Sequence, residues 1–311
     1  MVVWLASYPR SGNTLLRQVL KLCFDLSSCE GLEPAMANQS HSDPVWAEHV
    51  GLYFVEGDPA AFYRQALGSA ELVAIKSHEM PRDAEKAIYV LRDGRLALGS
   101  FLAYQERHSP GTTSFESLVF GDHPYGDWSS HFQAWCERRE GPLLVLRFEE
   151  LLAPDAAVLE RIAAFLGLTG PARTWVNPLT ALRKRVPEFF GRGEPRWTPS
   201  DFWTDARLHA FYTIHGRLLC ELGYASAEEV RAGAYPVGSD EERLVRFTRE
   251  IVARRWELQR ECDTRLRVIE DLQRECDARL RLVASLQGDR NRRPERGPSA
   301  LLRWLRRRGG G

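Results

Sequence analysis

The sequence predicts an α/β fold of three layers built on a central parallel sheet, followed by a C-terminal coiled-coil helix. Three observations lead there. Short apolar runs alternate with stretches of helical period, the pattern of strands covered on both faces. Those runs end on Arg10, Lys76, His78 and Arg92, at the strand ends where such sheets bind ligands. From Leu258 onward the apolar residues change step and recur on average every 3.5 residues or about that, the coiled-coil period.

Val2 to Ala6 is led by two β-branched residues and reads as a buried strand. Pro9 punctuates it, because proline fixes its own φ and biases the residue before it away from the α region. Ser11-Gly12-Asn13-Thr14 then turns into a helix from about Thr14 to Phe24, with Leu15, Leu16, Val19, Leu20 and Cys23 on its apolar face. Ser27 to Pro59 is polar and reads as a long irregular connection. Leu72–His78 is the second strand and Ala87–Asp93 the third, with a helix from Gly94 through Gln105. Asp127 to Arg138 reads as helix, Leu143–Phe148 as the fourth strand, and Pro154–Leu166 as a helix closed by Gly167.

The 311 residues include 42 acidic and 42 basic ones, so no net field directs the chain to nucleic acid. Six cysteines lack metal-ligand or framework spacing, as expected of reduced thiols and a cytoplasmic location. Met1 leads directly into a strand, so no leader peptide is expected, and no apolar run has the length of a membrane span.

A strand, a Gly-containing turn and a helix start can form an anion site, because unpaired N–H groups converge where the helix dipole is positive. An ordinary βα turn fits the same residues. Arg10 adds a charge at its rim. Lys76 and His78, two apart on a strand, face the same way. His78 fits a base working near neutral pH or a strand-end imidazole satisfied by backbone. Arg92 fits a ligand clamp or a surface ion pair.

Taken together, the motifs resemble the family of 3′-phosphoadenosine 5′-phosphosulfate (PAPS)-dependent sulfotransferases. Ser7-Tyr8-Pro9-Arg10-Ser11-Gly12-Asn13-Thr14 is similar to the 5′-phosphosulfate loop, Tyr89–Arg92 through Ser100 to the 3′-phosphate segment, and Lys76-Ser77-His78 to the strand end that carries the base. Gly126-Asp127-Trp128 with His131, Arg147-Phe148-Glu149-Glu150, and Phe189–Gly193 with Trp197 follow in the family's order, up to Gly223-Tyr224. The resemblance implies a P-loop NTPase-like fold and transfer of a sulfuryl group from PAPS, with no metal required.

It also assigns roles. Arg10, Ser11, Gly12, Asn13, Thr14 and Leu15 hold the 5′-phosphate end, Arg92 and Ser100 the 3′-phosphate, and Arg192 and Gly193 a further contact from a lid. His78 is the general base, with Lys76 and Arg10 beside the reacting group. Three departures stand out. Arg10 replaces the usual Lys, Leu15 replaces a Trp that stacks on adenine, leaving Phe148 or Phe190 for that task, and Gly191 replaces an Arg of the lid. A small-molecule kinase on the same fold and a non-catalytic scaffold are the competing classes. The first loop lacks the Gly-Lys-Ser/Thr ending of a nucleotide kinase. A glycan, lipid or secondary metabolite is the expected acceptor.

The sulfotransferase domain is expected to span residues 1–224, with a linker over 225–245, a coiled-coil helix over 246–288 and a basic tail over 289–311. Leu258–Leu266 recurs two heptads later as Leu272–Leu280, with one substitution. Leu258, Cys262, Leu266, Ile269, Leu272, Cys276, Leu280, Val283 and Leu286 form one stripe, which fits a homo-oligomer or a lone helix folded back on the domain. The Arg-rich tail, with Leu301, Leu302, Trp304 and Leu305, fits contact with an anionic membrane face or a solubilising extension.

Overall fold

The computed structural model describes residues 1–30, 50–55, 57–168, 173–178, 182, 184 and 196–291. Six parallel strands form one sheet: β1 (Val2–Ser7), β2 (Ser28–Glu30), β3 (Leu52–Phe54), β4 (Val73–Ser77), β5 (Lys86–Leu91) and β6 (Leu143–Arg147), in the order β3-β2-β4-β1-β5-β6. β1 is central and all six of its residues are buried. Its side chains alternate between two cores. Val2, Trp4 and Ala6 face one with Ile75, Tyr89 and Leu91, while Val3 and Leu5 face the other with Ala74, Ile88 and Val90. That period of two, with a core on each face, makes the three layers expected from the sequence.

Helix α1 (Asn13–Phe24) packs Leu15, Leu16, Val19 and Leu20 into the second core, as do α6 (Phe148–Leu152) and α7 (Ala156–Leu166), in the numbering that places α2 at Pro59–Gly68, α3 at Gly94–His108, α4 at Phe115–Phe120 and α5 at Trp128–Gln133. α5 runs on as a π turn over Ala134–Arg138. α8 (Asp205–Glu221), α9 (Ala227–Gly233) and α10 (Asp240–Asn291) complete the described elements. The register sets Ala6 beside Ser77 and Ser7 beside Val90, so β1, β4 and β5 end level with one another.

β4 passes to β5 without an intervening helix, and Asp83 anchors that crossover by accepting from Trp4 Nε1 at 2.9 Å and from Tyr63 Oη. Two expectations need correction. The connection over Ser27–Pro59 contains β2 and β3, whose three residues each are too few to show a period. The 225–245 stretch is not a plain linker, because α9 and the start of α10 occupy it.

What fastens α9 is Arg95, 2% exposed. Its guanidinium donates to Asp93 Oδ2 (2.7 Å), Tyr212 Oη (3.0 Å), the Tyr224 carbonyl (2.7 Å) and Glu229 Oε1 (2.6 Å). Its fifth N–H, at Nε, reaches Asp93 Oδ1 at 3.1 Å. The arginine fork thus spends its donors tying β5's exit to α8 and α9.

Compact units cover Met1–Arg254 and Arg255–Gly311. In the second, Leu258, Leu266, Ile269, Leu272, Leu280 and Val283 are exposed along the helix. Arg265 pairs with Glu261, Arg274 with Asp271 and Arg279 with Glu275 on its surface. Among the described residues no helix is long and apolar enough to cross a membrane.

Removing Arg95 strands the buried Asp93 carboxylate and three further acceptors, on Tyr212, Tyr224 and Glu229. Arg95→Met is expected to lower unfolding free energy by about 3–5 kcal/mol in chemical denaturation, and Glu229→Gln, at a partly exposed position, by much less.

Candidate functional site

The site is built where β1 turns into α1. Ser11 N–H donates to the Tyr8 carbonyl at 3.1 Å, closing a tight turn. Arg10 adopts φ 63° and Gly12 φ 109°, both left-handed. Gly12 is needed on two counts: that φ, and a Cβ there would stand 2.6 Å from Phe148 Cδ2. Gly12 also caps α1 without a side chain, so no cap competes for the first-turn N–H groups of Asn13, Thr14 and Leu15. Ser11 Oγ and Asn13 Oδ1 are buried without a hydrogen-bond partner. Asn13 Nδ2 donates to the Leu5 carbonyl at 2.7 Å, which pins the helix start to the strand.

Arg10 crosses to α3. Its Nε donates to Ser100 Oγ (3.3 Å), and its guanidinium lies 4.9 Å from the centre of the Tyr104 ring. Arg92 Nη1 donates to the Arg10 carbonyl at 3.0 Å and holds the left-handed turn in place. Phe148 fills the space between them, its ring 4.2 Å from the Arg92 guanidinium carbon. Burial lowers Arg10 to about 10, with Arg92 and Arg107 adding to the shift and Tyr104 opposing it. At neutral pH Arg10 therefore stays cationic among other cations.

The base candidate stands at the end of β4. His78 Nδ1 lies 2.8 Å from the Ser7 carbonyl oxygen and 3.3 Å from Ser7 Oγ. A carbonyl only accepts, so Nδ1 carries the hydrogen and Nε2 is the ring's basic atom. Burial lowers His78 well below its ordinary value, and Lys76 pushes the same way. Lys76 is engaged with Glu30, a buried carboxylate that also meets Arg17 at 3.5 Å.

One short helix positions both strand ends. Trp128 Nε1 donates to the Arg92 carbonyl (3.2 Å), His131 Nε2 to the His78 carbonyl (2.9 Å) and Trp135 Nε1 to the Glu79 carbonyl (2.9 Å). Tyr89 Oη, 3.0 Å from His131 Nδ1, supplies the hydrogen that this neutral tautomer accepts.

The expected residues thus converge in part. Arg10, Ser11, Gly12, Asn13, Thr14, Arg92, Ser100 and His78 meet around the end of β1. Leu15 instead puts its side chain in the core, 4% exposed, and Phe148 is 6% exposed, wedged against Gly12 and Arg92. Arg192, Gly193 and Phe190 lie outside the described residues. Sequence reasoning missed Glu30 and Tyr104, and had Ser7 only as the first residue of the loop motif, not as the partner of His78. Tyr104 had a signal, since it follows Ser100 by one helical turn; Glu30, in a three-residue strand, had none. Among the described residues no group of three His, Cys, Asp or Glu side chains is placed to hold a metal ion.

Comparison with known proteins adds to this geometry. A family model described as the sulfotransferase domain matches residues 2–182. Mouse sulfotransferase 1B1 is 35% identical over 91 residues, covering 27% of this chain and 30% of that protein. Bovine sulfotransferase 1A1 is 23% identical over 180 residues, covering 55% of this chain and 60% of that protein. The chain therefore matches less than two thirds of the length of these relatives. A crystal structure of mouse sulfotransferase SULT7A1 complexed with PAP aligns at 18% identity and TM-score 0.39, over 79% of this chain and 88% of that one.

Burial of imidazoles has a measurable consequence. His78 is lowered well below 6.5, and His123, His131 and His215 to about 4, in each case first by burial. As pH falls below about 6.5 the unfolded chain takes up these protons before the folded one, so stability is complete above that pH and lost below it. The thermal midpoint is expected to fall steadily from pH 7 towards pH 4, by more than one histidine can produce. A flat profile would show that these rings are solvated.

Proposed function

The chain belongs to the sulfotransferase-domain family, and on that premise we propose that it transfers a sulfuryl group from PAPS to a hydroxyl or amine, with His78 as general base. The observation that carries this reading is the His78 Nδ1–Ser7 carbonyl contact at 2.8 Å. It fixes the tautomer whose Nε2 can take a proton, and fastens that base to the strand leading into the anion-binding loop. PAPS, when bound, supplies a sulfuryl group on a phosphate oxygen that becomes more negative as the group leaves.

The chain's own residues match those demands. The uncapped start of α1, the orphaned Ser11 Oγ and the Arg10 guanidinium suit the 5′-phosphate and its developing charge. Arg92 and Ser100 flank Arg10 and suit the 3′-phosphate. Lys76, beside His78, suits the charge on the transferring group, and burial, with Lys76 pushing the same way, keeps His78 unprotonated at neutral pH. His78 removes the acceptor's proton as the acceptor atom bonds to sulfur. The acceptor class is a glycan, a lipid or a secondary metabolite, encountered in the cytoplasm or at the inner membrane face. The basic tail that would make that membrane contact lies beyond the described residues.

Calorimetry with 3′-phosphoadenosine 5′-phosphate, AMP and ATP tests the donor. Each lost charge-assisted hydrogen bond is worth about 1.5–3 kcal/mol, so AMP should bind at least about tenfold more weakly, and Arg92→Ala should erase the difference. Tighter ATP binding would favour a kinase. His78→Ala should lower kcat about a hundredfold or more while leaving nucleotide affinity within about twofold, because the ring lies outside the phosphate contacts.

We also infer self-association through the stripe from Leu258 to Leu286. Support comes from the near-identical nine-residue segments two heptads apart and from the exposure of Leu258, Leu266, Leu272 and Leu280. Sedimentation should report an oligomer, and the variant combining Leu266→Glu with Leu272→Glu should run as a monomer. A monomeric unmodified chain would end this inference.

A further inference from the structure

Arg249 ties α10 to the helix that holds the His78 carbonyl. Arg249 Nη2 donates to Asp127 Oδ1 (3.0 Å), Asp127 Oδ2 (3.2 Å) and Ser130 Oγ (3.3 Å), and Nε donates to Asp127 Oδ2 (3.3 Å). Asp127 is 3% exposed and is the N-cap of α5, accepting from Ser130 N at 2.9 Å and from Ser130 Oγ at 2.5 Å. A charged cap at a helix start is favoured by the dipole, but burying it requires a cation.

His215 is the other candidate cation, 3.7 Å from Asp127. It is not available for that task. Its Nε2 donates to the Val119 carbonyl (3.2 Å), so in the neutral ring Nδ1 accepts from Ser129 Oγ (2.7 Å). Burial lowers it to about 4, and Arg249 reinforces that shift against the pull of Asp127. Burial alone would raise the Asp127 carboxyl; Arg249, with the Ser130 hydrogen bonds, holds it below the ordinary value. At neutral pH the ion pair is Asp127 with Arg249.

We infer that Arg249 is a positioning residue for His78: by pinning Asp127 it fixes the start of α5, whose His131 in turn fixes the His78 carbonyl. Arg249 lies beyond the stretch 2–182 that the family model matches. The kinetic consequence rests on the sulfuryl-transfer reading, whereas the geometric one does not.

Two measurements separate them. In nitrogen NMR of the imidazoles, the full chain should show His78 protonated on Nδ1 and His131 on Nε2. In Arg249→Leu both should become tautomer mixtures, and Arg249→Lys should restore them at least in part. In a PAPS-dependent assay, Arg249→Leu should lower kcat about tenfold, as expected when a base is displaced by a fraction of an ångström, with KM for PAPS within about twofold. Arg243→Leu on the same helix, whose partner Asp240 is exposed, should change neither. Unchanged tautomers together with unchanged kcat in folded Arg249→Leu would overturn the inference. If Arg249→Leu does not fold, a kcat and tautomers in Arg249→Lys identical to those of the unmodified chain would do the same. If the unmodified chain transfers no sulfuryl group, the NMR arm alone decides: mixed tautomers in Arg249→Leu support the inference, and unchanged ones overturn it, while the reaction reading fails by itself.

Discussion

Carbonyl groups at the ends of parallel strands have run out of ladder partners, and in this protein two of them are buried and a third is half-buried in the wall of the site. Ring N–H donors from Trp128, His131 and Trp135 satisfy the carbonyls of Arg92, His78 and Glu79. An unpaired buried carbonyl costs about 1–3 kcal/mol, so each donor removes a penalty. The larger effect is directional. Three hydrogen bonds from one rigid helix give both strand ends a common reference, and the side chains of His78 and Arg92 inherit it. Two indoles and an imidazole suit the task because each combines a large apolar body with a single donor at its tip.

Against that fixed backbone, the cations are crowded. Arg10 and Arg92 are coupled through the Arg10 carbonyl, and Arg107 is near enough to depress Arg10 further. Arg10 also takes a left-handed backbone conformation, φ 63°, which a side chain bearing a Cβ seldom adopts. Repulsion and strain both oppose folding, and the ring faces of Tyr104 and Phe148 offset only a part. The proposed polyanionic donor would reverse the sign of that repulsion while the backbone N–H groups stay where they are. Folding thus bears the cost of assembling the site, which leaves little reorganisation for binding.

The sequence displayed the central sheet well because β1, β4, β5 and β6 are long enough to show an apolar run, and their ends carry the charged residues. It hid β2 and β3, since three residues have no period. That omission concealed Glu30, so Lys76 read as a cation aimed at substrate when its ammonium also meets a buried carboxylate. Leu15 was legible as an apolar residue on the helix face, and its burial follows that pattern rather than a ligand contact. The segment after Tyr224 read as a linker on composition. Glu229 belongs to the body because Arg95, more than a hundred residues earlier, needs an acceptor there, and no local pattern encodes such a pairing. His131 stood out as a residue type, but its role depends on a carbonyl more than fifty residues away.

The lowered basicity of His78 bears on how the proposed proton transfer proceeds. Burial and Lys76 keep the ring unprotonated at neutral pH, which suits a base, yet they also weaken its hold on a proton once taken. A ring of that strength cannot ionise an alcohol in advance, because the hydroxyl is far less acidic than the imidazolium. The proton can pass to Nε2 only as the acceptor oxygen gains its bond to sulfur and its own acidity rises. Timing of this kind needs the base in place before the bond forms. The Ser7 and His131 contacts supply that placement, and they explain why a buried histidine of low affinity for protons is held by hydrogen bonds on both its ring and its carbonyl.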